Sequence, residues 1–157
     1  MSVRPFEHWG TTPEEQAAHY PCQDLLPGGV LLTRGIDVTA PEGVVFRWLC
    51  QLRVAPYSYD WIDNVGRRSP RTLTPGLEDL EIGQRICRVF TLRHFETDRS
   101  LTFDGLGVAI SYVVSPGRLV GAVALRRRTV LTTPLAFGDL VMMRKQLSNL
   151  SSRAAAG

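Results

Sequence analysis

Val108-Ala109-Ile110-Ser111-Tyr112-Val113-Val114-Ser115-Pro116-Gly117-Arg118-Leu119-Val120 decides the fold class of this chain. Val108, Ile110, Tyr112 and Val114 fall on one face of an extended segment, because successive side chains of a strand point to opposite sides. Ser115-Pro116-Gly117 then reads as a tight turn, with proline presetting one backbone angle and glycine free to adopt a positive one. The chain returns as a long strand predicted from Arg118 to Val130. Upstream, Gln84 to Phe95 also alternates, placing Ile86, Phe90 and Leu92 on one face together with Arg88 and His94. Glu96-Thr97-Asp98-Arg99 reads as a hairpin turn, and Leu101 and Phe103 continue the apolar face on the return strand. Successive strands joined by short turns make an antiparallel meander.

The flanking pieces have a different period. After Pro134, Phe137, Leu140, Val141, Met143, Leu147 and Leu150 trace a helical stripe. It predicts a helix from about Leu135 to Ser151 that frays towards Gly157. Val30 to Val38 reads as a strand with Val30, Leu32, Ile36 and Val38 on one face and Arg34 interrupting them. Thr39-Ala40-Pro41-Glu42 has capping-box spacing and predicts a helix start. Val45, Trp48, Leu49 and Leu52 form the buried stripe of that helix, which Pro56 ends. Residues 57–65 read as a second short helix or a helical turn that ends near Gly66. Ser69 to Gly83 reads as a loop, with one short extended piece near Arg71–Leu73. Near the start, Thr12, Pro13 and Glu15 form a capping box for a short helix that stops at Tyr20-Pro21, and Pro27-Gly28-Gly29 is a turn. The expected fold class is α+β. A sheet that buries one face needs a cover, and the last helix is the only element long enough to supply it.

A chain of 157 residues with 44% hydrophobic and 21% charged residues is expected to form one domain, 1–157, with residues 1–27 as an N-terminal extension and 30–152 as the core. Cys22, Cys50 and Cys87 are odd in number and lack a C-x-x-C pair, so neither a disulfide framework nor a zinc site is expected. They read as reduced thiols of a cytoplasmic protein. Met1 to Pro5 starts no apolar run, so no signal peptide is expected, and no window is apolar enough for a transmembrane helix. The net charge of +3 comes with two arginine clusters, Arg67-Arg68 with Arg71 and Arg126-Arg127-Arg128. Neither is interleaved with aromatics, so nucleic acid is not an expected partner. A homodimer through an exposed strand edge is left open.

Tyr57-Ser58-Tyr59-Asp60-Trp61-Ile62-Asp63-Asn64 is the stretch densest in side chains that can both line a cavity and orient something within it. Together with Trp9-Gly10-Thr11-Thr12-Pro13-Glu14-Glu15, Thr33 to Pro41, Trp48 to Leu52 and Gly138 to Arg144, it carries a resemblance. From about Trp9 to Arg153 the chain resembles the START-like, or SRPBCC, superfamily, and within it the bacterial polyketide cyclase/dehydrase-type proteins. The resemblance implies a helix-grip fold, an antiparallel sheet wrapped around a long C-terminal helix with two short helices after the first core strand. It also implies a deep apolar cavity between sheet and helix, suited to lipids, polyketides or sterol-like molecules. The superfamily has no universal catalytic residues, so none is carried over.

The residues expected to line such a cavity are Tyr57, Tyr59, Trp61, Arg88, Phe90, His94, Phe103, Tyr112 and Met143. His94 reads as a hydrogen-bonded structural residue or, if it lies at the cavity end, as a candidate general base. Arg88 can polarise a carbonyl, and Tyr59 completes the set of candidate proton movers. Asp104 is a candidate partner for Arg34 or Arg88, or a turn residue. His8, His19 and His94 lack metal-ligand spacing, there is no G-x-S-x-G elbow, and Gly105-Leu106-Gly107 leads into a strand rather than a helix. No metal or cofactor is expected. The first expectation is binding of a hydrophobic small molecule. The alternatives are a polyketide cyclase or dehydratase-type enzyme, and a protein-interaction module whose cavity is filled by its own side chains.

Overall fold

The computed structural model describes residues 7–53, 72–86, 89–126 and 132–156. Its centre is a curved sheet with strand order β1-β2-β7-β6-β5-β4-β3. The strands are β1 (His8–Trp9), β2 (Val30–Asp37), β3 (Arg85–Ile86), β4 (Phe90–Glu96), β5 (Ser100–Gly105), β6 (Val108–Ser115) and β7 (Arg118–Leu125). All neighbours are antiparallel except β1, which adds in parallel to the outer edge of β2. Among the described residues the helices are α1 (Pro13–Ala17), α2 (Pro21–Leu25), α3 (Glu42–Cys50) and α4 (Thr132–Ala156), with a 3-10 turn at Gln51–Arg53. The described residues thus form an α+β fold, a mostly antiparallel sheet followed by a long C-terminal helix.

The apolar stripes explain the layers. Leu32, Leu92, Leu101, Phe103, Tyr112, Val114, Leu119 and Val123 cover the inner face of the sheet. They pack against Val45, Trp48 and Leu49 of α3 and Met143, Leu147 and Leu150 of α4. Leu52 also joins this core, as the stripe of that helix predicts. Gln51 and Arg53 then tie down the following loop. The Gln51 side chain accepts from Thr74 N at 2.8 Å, and Arg53 donates to the carbonyls of Leu77 at 3.1 Å and Asp79 at 3.4 Å.

The outer face has a cover that the sequence pattern did not announce. α2 lies across β5, β6 and β7. Ala109, Ala122 and Ala124 present small side chains there, so Cys22 packs close enough for its backbone N–H to reach Ser111 Oγ at 2.9 Å. The N-terminal segment is therefore a layer of the fold. Arg118 clamps it by donating to both carboxylate oxygens of Glu15 at 2.8 and 2.9 Å. The capping box of α1 forms as expected, with Thr12 N donating to Glu15 Oε2 at 2.9 Å and Glu15 N to Thr12 Oγ1 at 3.2 Å.

Several boundaries differ from expectation, each for a local reason. The second capping box does not form, because α3 starts at Glu42 with Pro41 as its cap and no side-chain bond. Ala40 precedes proline and resists helical angles, which stops the helix from starting at Thr39. A second short helix, α2, starts at Pro21, since proline is well suited to a first helical position. The single strand expected over Gln84–Phe95 is two: Ile86 pairs with Phe90, so the chain reverses between them. The strand expected to reach Val130 ends at Leu125, and Arg126 lies outside it. Thr72 and Leu73 are not part of a strand. The last helix does not fray after Ser151 but runs to Ala156, where Ala154 is buried. The proposed short helix at 57–65 and the Arg67-Arg68-Arg71 cluster lie outside the described residues.

Candidate functional site

One row of residues runs across the inner face in register: Leu101 on β5, Tyr112 on β6, Gly121 on β7, Arg34 on β2 and Trp9 on β1. Residues paired across neighbouring strands share a face, so this row shows what the sheet offers to the helix above it. Gly121 lies at its middle and leaves a gap that Met143 of α4 fills. A methyl group added at Gly121 would sit 2.8 Å from the Met143 sulfur and 3.4 Å from the Tyr112 ring. Glycine inside a strand commonly marks such a close approach.

On one side of the gap, Tyr112 donates its hydroxyl hydrogen bond to the Gln146 side chain of α4. Its ring is also the inner end of an aromatic ladder. The centroids of Phe103 and Tyr112 are 6.0 Å apart, and those of Phe90 and Phe103 are 5.2 Å apart, within the range favoured by tilted aromatic pairs. Phe103 and Tyr112 are buried, whereas Phe90 is half-buried at the β4 end. The ladder therefore grades from an accessible ring to one bonded to the covering helix.

On the other side of the gap lies Arg34, whose side chain is fully buried. A buried guanidinium requires hydrogen-bond acceptors. Arg34 Nη1 donates to the carbonyls of Glu7 at 2.7 Å and Thr33 at 2.9 Å. The Glu7 carbonyl also accepts from Thr33 N at 2.9 Å. Thr33, on the opposite face, bonds to His8 Nδ1 at 2.7 Å and to Thr11 Oγ1 at 3.0 Å. Short β1 is thus held from both faces, and the Arg144 guanidinium of α4 lies over the Trp9 ring, 4.7 Å from its centroid. Burial pushes the His8 imidazole below its usual value, with Glu7 opposing and Arg34 reinforcing the shift.

The sequence-predicted residues divide into three groups. Phe90, Phe103, Tyr112 and Met143 come together in the core between the inner face and α4. In this structure Phe103, Tyr112 and Met143 are covered by one another and by their neighbours rather than facing open space. Tyr57, Tyr59, Trp61 and Arg88 lie outside the described residues. His94 is a correction, since it is exposed and on the outer face. The pairing shifts register between Leu92 and His94, and the extra residue, Arg93, reverses the alternation. Leu92 and Phe95 consequently face the core, while His94 pairs with outer-face Thr102. Asp104 bonds Arg93 at 2.6 Å, and its other candidate partner, Arg88, lies outside the described residues.

Two contributors, Gly121 and Gln146, are not among the residues expected from the sequence. Gly121 carried a readable signal, an isolated glycine in a strand. Gln146 carried none, since a polar residue beside a helical stripe is ordinary. The arrangement puts a buried phenol bonded to a half-buried carboxamide on the inner face, with a buried guanidinium two strands away, and a phenol–carboxamide pair of this kind is suited to orienting one polar group of a largely apolar molecule. Among the described residues no group of three His, Cys, Asp or Glu side chains could hold a metal ion.

No protein-family model matches the chain, and no curated protein matches it. Among solved structures, the protein MLL2253 of Mesorhizobium loti shares 12% identity, over 80% of this chain and 97% of that one, with a TM-score of 0.48. The protein SSP2350 of Staphylococcus saprophyticus shares 14% identity, over 77% of this chain and 88% of that one, also with a TM-score of 0.48. At that similarity neither lends the site an assignment.

Proposed function

We propose that this chain binds one hydrophobic small molecule between the inner face of its sheet and its C-terminal helix, as a helix-grip protein of the START-like superfamily. The observation that carries this reading is the Phe90–Phe103–Tyr112 ladder. It runs from a half-buried ring to a phenol bonded to Gln146, with the buried Arg34 two strands away in the same row. A ligand would enter at the Phe90 end, displace Met143 from the gap above Gly121, and place its one polar group near Tyr112 and Gln146. Met is suited to yielding in this way, being unbranched and adaptable. Burying about 300 Å² of apolar ligand surface would contribute roughly 7 kcal/mol before ordering costs.

The cyclase reading loses its nominated base, since an exposed outer-face His94 cannot act on a ligand against the inner face. The filled-core reading draws on the close cover of Phe103, Tyr112 and Met143. A thermal-shift panel of lipids, polyketides and sterols separates it from ligand binding. A binder that prefers the folded state raises the melting temperature with concentration. A flat response across the panel favours the filled core.

A further inference from the structure

The hairpin between β5 and β6 is built from Leu106 and Gly107, with Gly105 paired to Val108. Both loop residues have positive φ, 54° for Leu106 and 77° for Gly107. A two-residue loop of this kind is a type I′ turn, whose first position is ordinarily Asn, Asp or Gly. Leucine there is strained, because its Cβ disfavours the left-handed region. It is also 81% exposed. The position is thus occupied by a residue that suits neither the backbone nor water.

Leu106 has apolar and basic company. The carbonyl of Val89 lies 2.4 Å from where a Cβ at Gly105 would sit, so the β3–β4 reversal abuts this hairpin. The Val89 side chain is 46% exposed. On the other flank, the Arg126 side chain comes within 3.9 Å of the corresponding position at Gly107. Arg126 is exposed and also borders a cleft of about 460 Å³ against the Leu26–Gly29 turn. Asp104, one residue before the hairpin, has its charge matched by Arg93.

We propose that this end of the sheet docks on an anionic lipid surface, with Leu106 and Val89 inserting at the headgroup boundary and Arg126 meeting lipid phosphate or carboxylate. Exposed apolar tips beside a cation fit that surface, because insertion buries the tips while the anionic headgroups attract the charge. The surface stands apart from the interior site, although Phe90 packs against Gly105 and so puts the open end of the aromatic ladder beside it.

Co-sedimentation with phosphatidylcholine vesicles, with and without phosphatidylserine, tests this without any added ligand. The full chain is expected to bind the serine-containing vesicles and to be released by salt. Leu106→Asn is expected to weaken binding about tenfold, from the lost leucine burial, while keeping or raising the melting temperature, because Asn tolerates the left-handed region. Arg126→Ala is expected to cost about fivefold, and only on the anionic vesicles. Failure of the wild-type chain to bind either vesicle overturns the proposal, as does binding by Leu106→Asn equal to wild type. Light scattering that shows a dimer abolished by Leu106→Asn overturns it in favour of a second copy as the occupant.

Discussion

Tyr112 on β6 donates its hydroxyl hydrogen bond to Gln146 on α4, so the innermost ring of the aromatic ladder is tied to the helix that covers it. The bond crosses the interface where a ligand would sit. Tyr112→Phe keeps the ring and removes the donor. It is expected to destabilise the fold by about 1 kcal/mol, the ordinary net value of one such bond. Urea denaturation checks this, and an unchanged midpoint would mean that the bond does not help to hold the helix.

Gly121 is expected to tolerate alanine and to resist larger residues. The nearest obstacle to an added methyl is the Met143 sulfur at 2.8 Å, the far part of a flexible side chain that can swing aside. Gly121→Ala should therefore shift stability little. Gly121→Leu overfills the gap between Tyr112 and Met143, and such overpacking costs about 1–3 kcal/mol. Equal melting temperatures for the two variants would contradict the close approach of helix and sheet at this point.

Stability should fall in two steps as the solution is acidified. The His8 imidazole is held below its usual value of 6.5 by burial, so its contribution is complete above that value and declines as pH falls below it. The Glu15 carboxyl is held below its usual value of 4.5, chiefly by its hydrogen bond to Arg118. Its contribution is complete above 4.5 and is lost as pH falls through the folded value. Thermal melts across this range, with hydrogen exchange of residues 8–25, would show the N-terminal layer loosening. His8→Gln should abolish the first step and Arg118→Ala the second. Wild-type profiles from both variants would remove these groups from the clamp.

The described thiols should be inert in the folded chain. Cys22 and Cys50 are free and buried. Burial pushes the Cys50 thiol up to about 12 and raises that of Cys22. Thiolate, the reactive form, is therefore scarce at both. Iodoacetamide labelling at neutral pH, mapped by peptide mass, should modify these two cysteines no faster than the protein unfolds. Rapid labelling of Cys50 in the native state would contradict its place in the core.

Much of the fold is legible from side-chain alternation. Val108, Ile110, Tyr112 and Val114 share a face as read, and Met143, Leu147 and Leu150 form the helical seam, because burial imposes these periods directly. His94 departs from the alternation because one extra residue, Arg93, reverses it, and a bulge has no reliable mark in a single sequence. The outer cover is not legible in the sequence, because α1 and α2 each have only five residues, too short for a helical stripe. What draws them onto the sheet is the run of alanines on β6 and β7 together with Arg118, which reaches Glu15 across 103 residues of sequence. In the sequence Arg34 is an interruption of an apolar face. Its bond to the Glu7 carbonyl depends on the residue that leads into β1, a two-residue strand without a pattern of its own.

The most direct test of ligand binding is native mass spectrometry of the chain purified from its own host, run beside Gly121→Leu prepared in the same way. The account predicts a single retained apolar mass on the wild-type chain at one-to-one stoichiometry, lost or strongly reduced in Gly121→Leu and kept in His94→Ala. Wild-type protein that carries no mass and takes up none from a lipid and polyketide panel would contradict it, as would a retained mass that Gly121→Leu leaves in place.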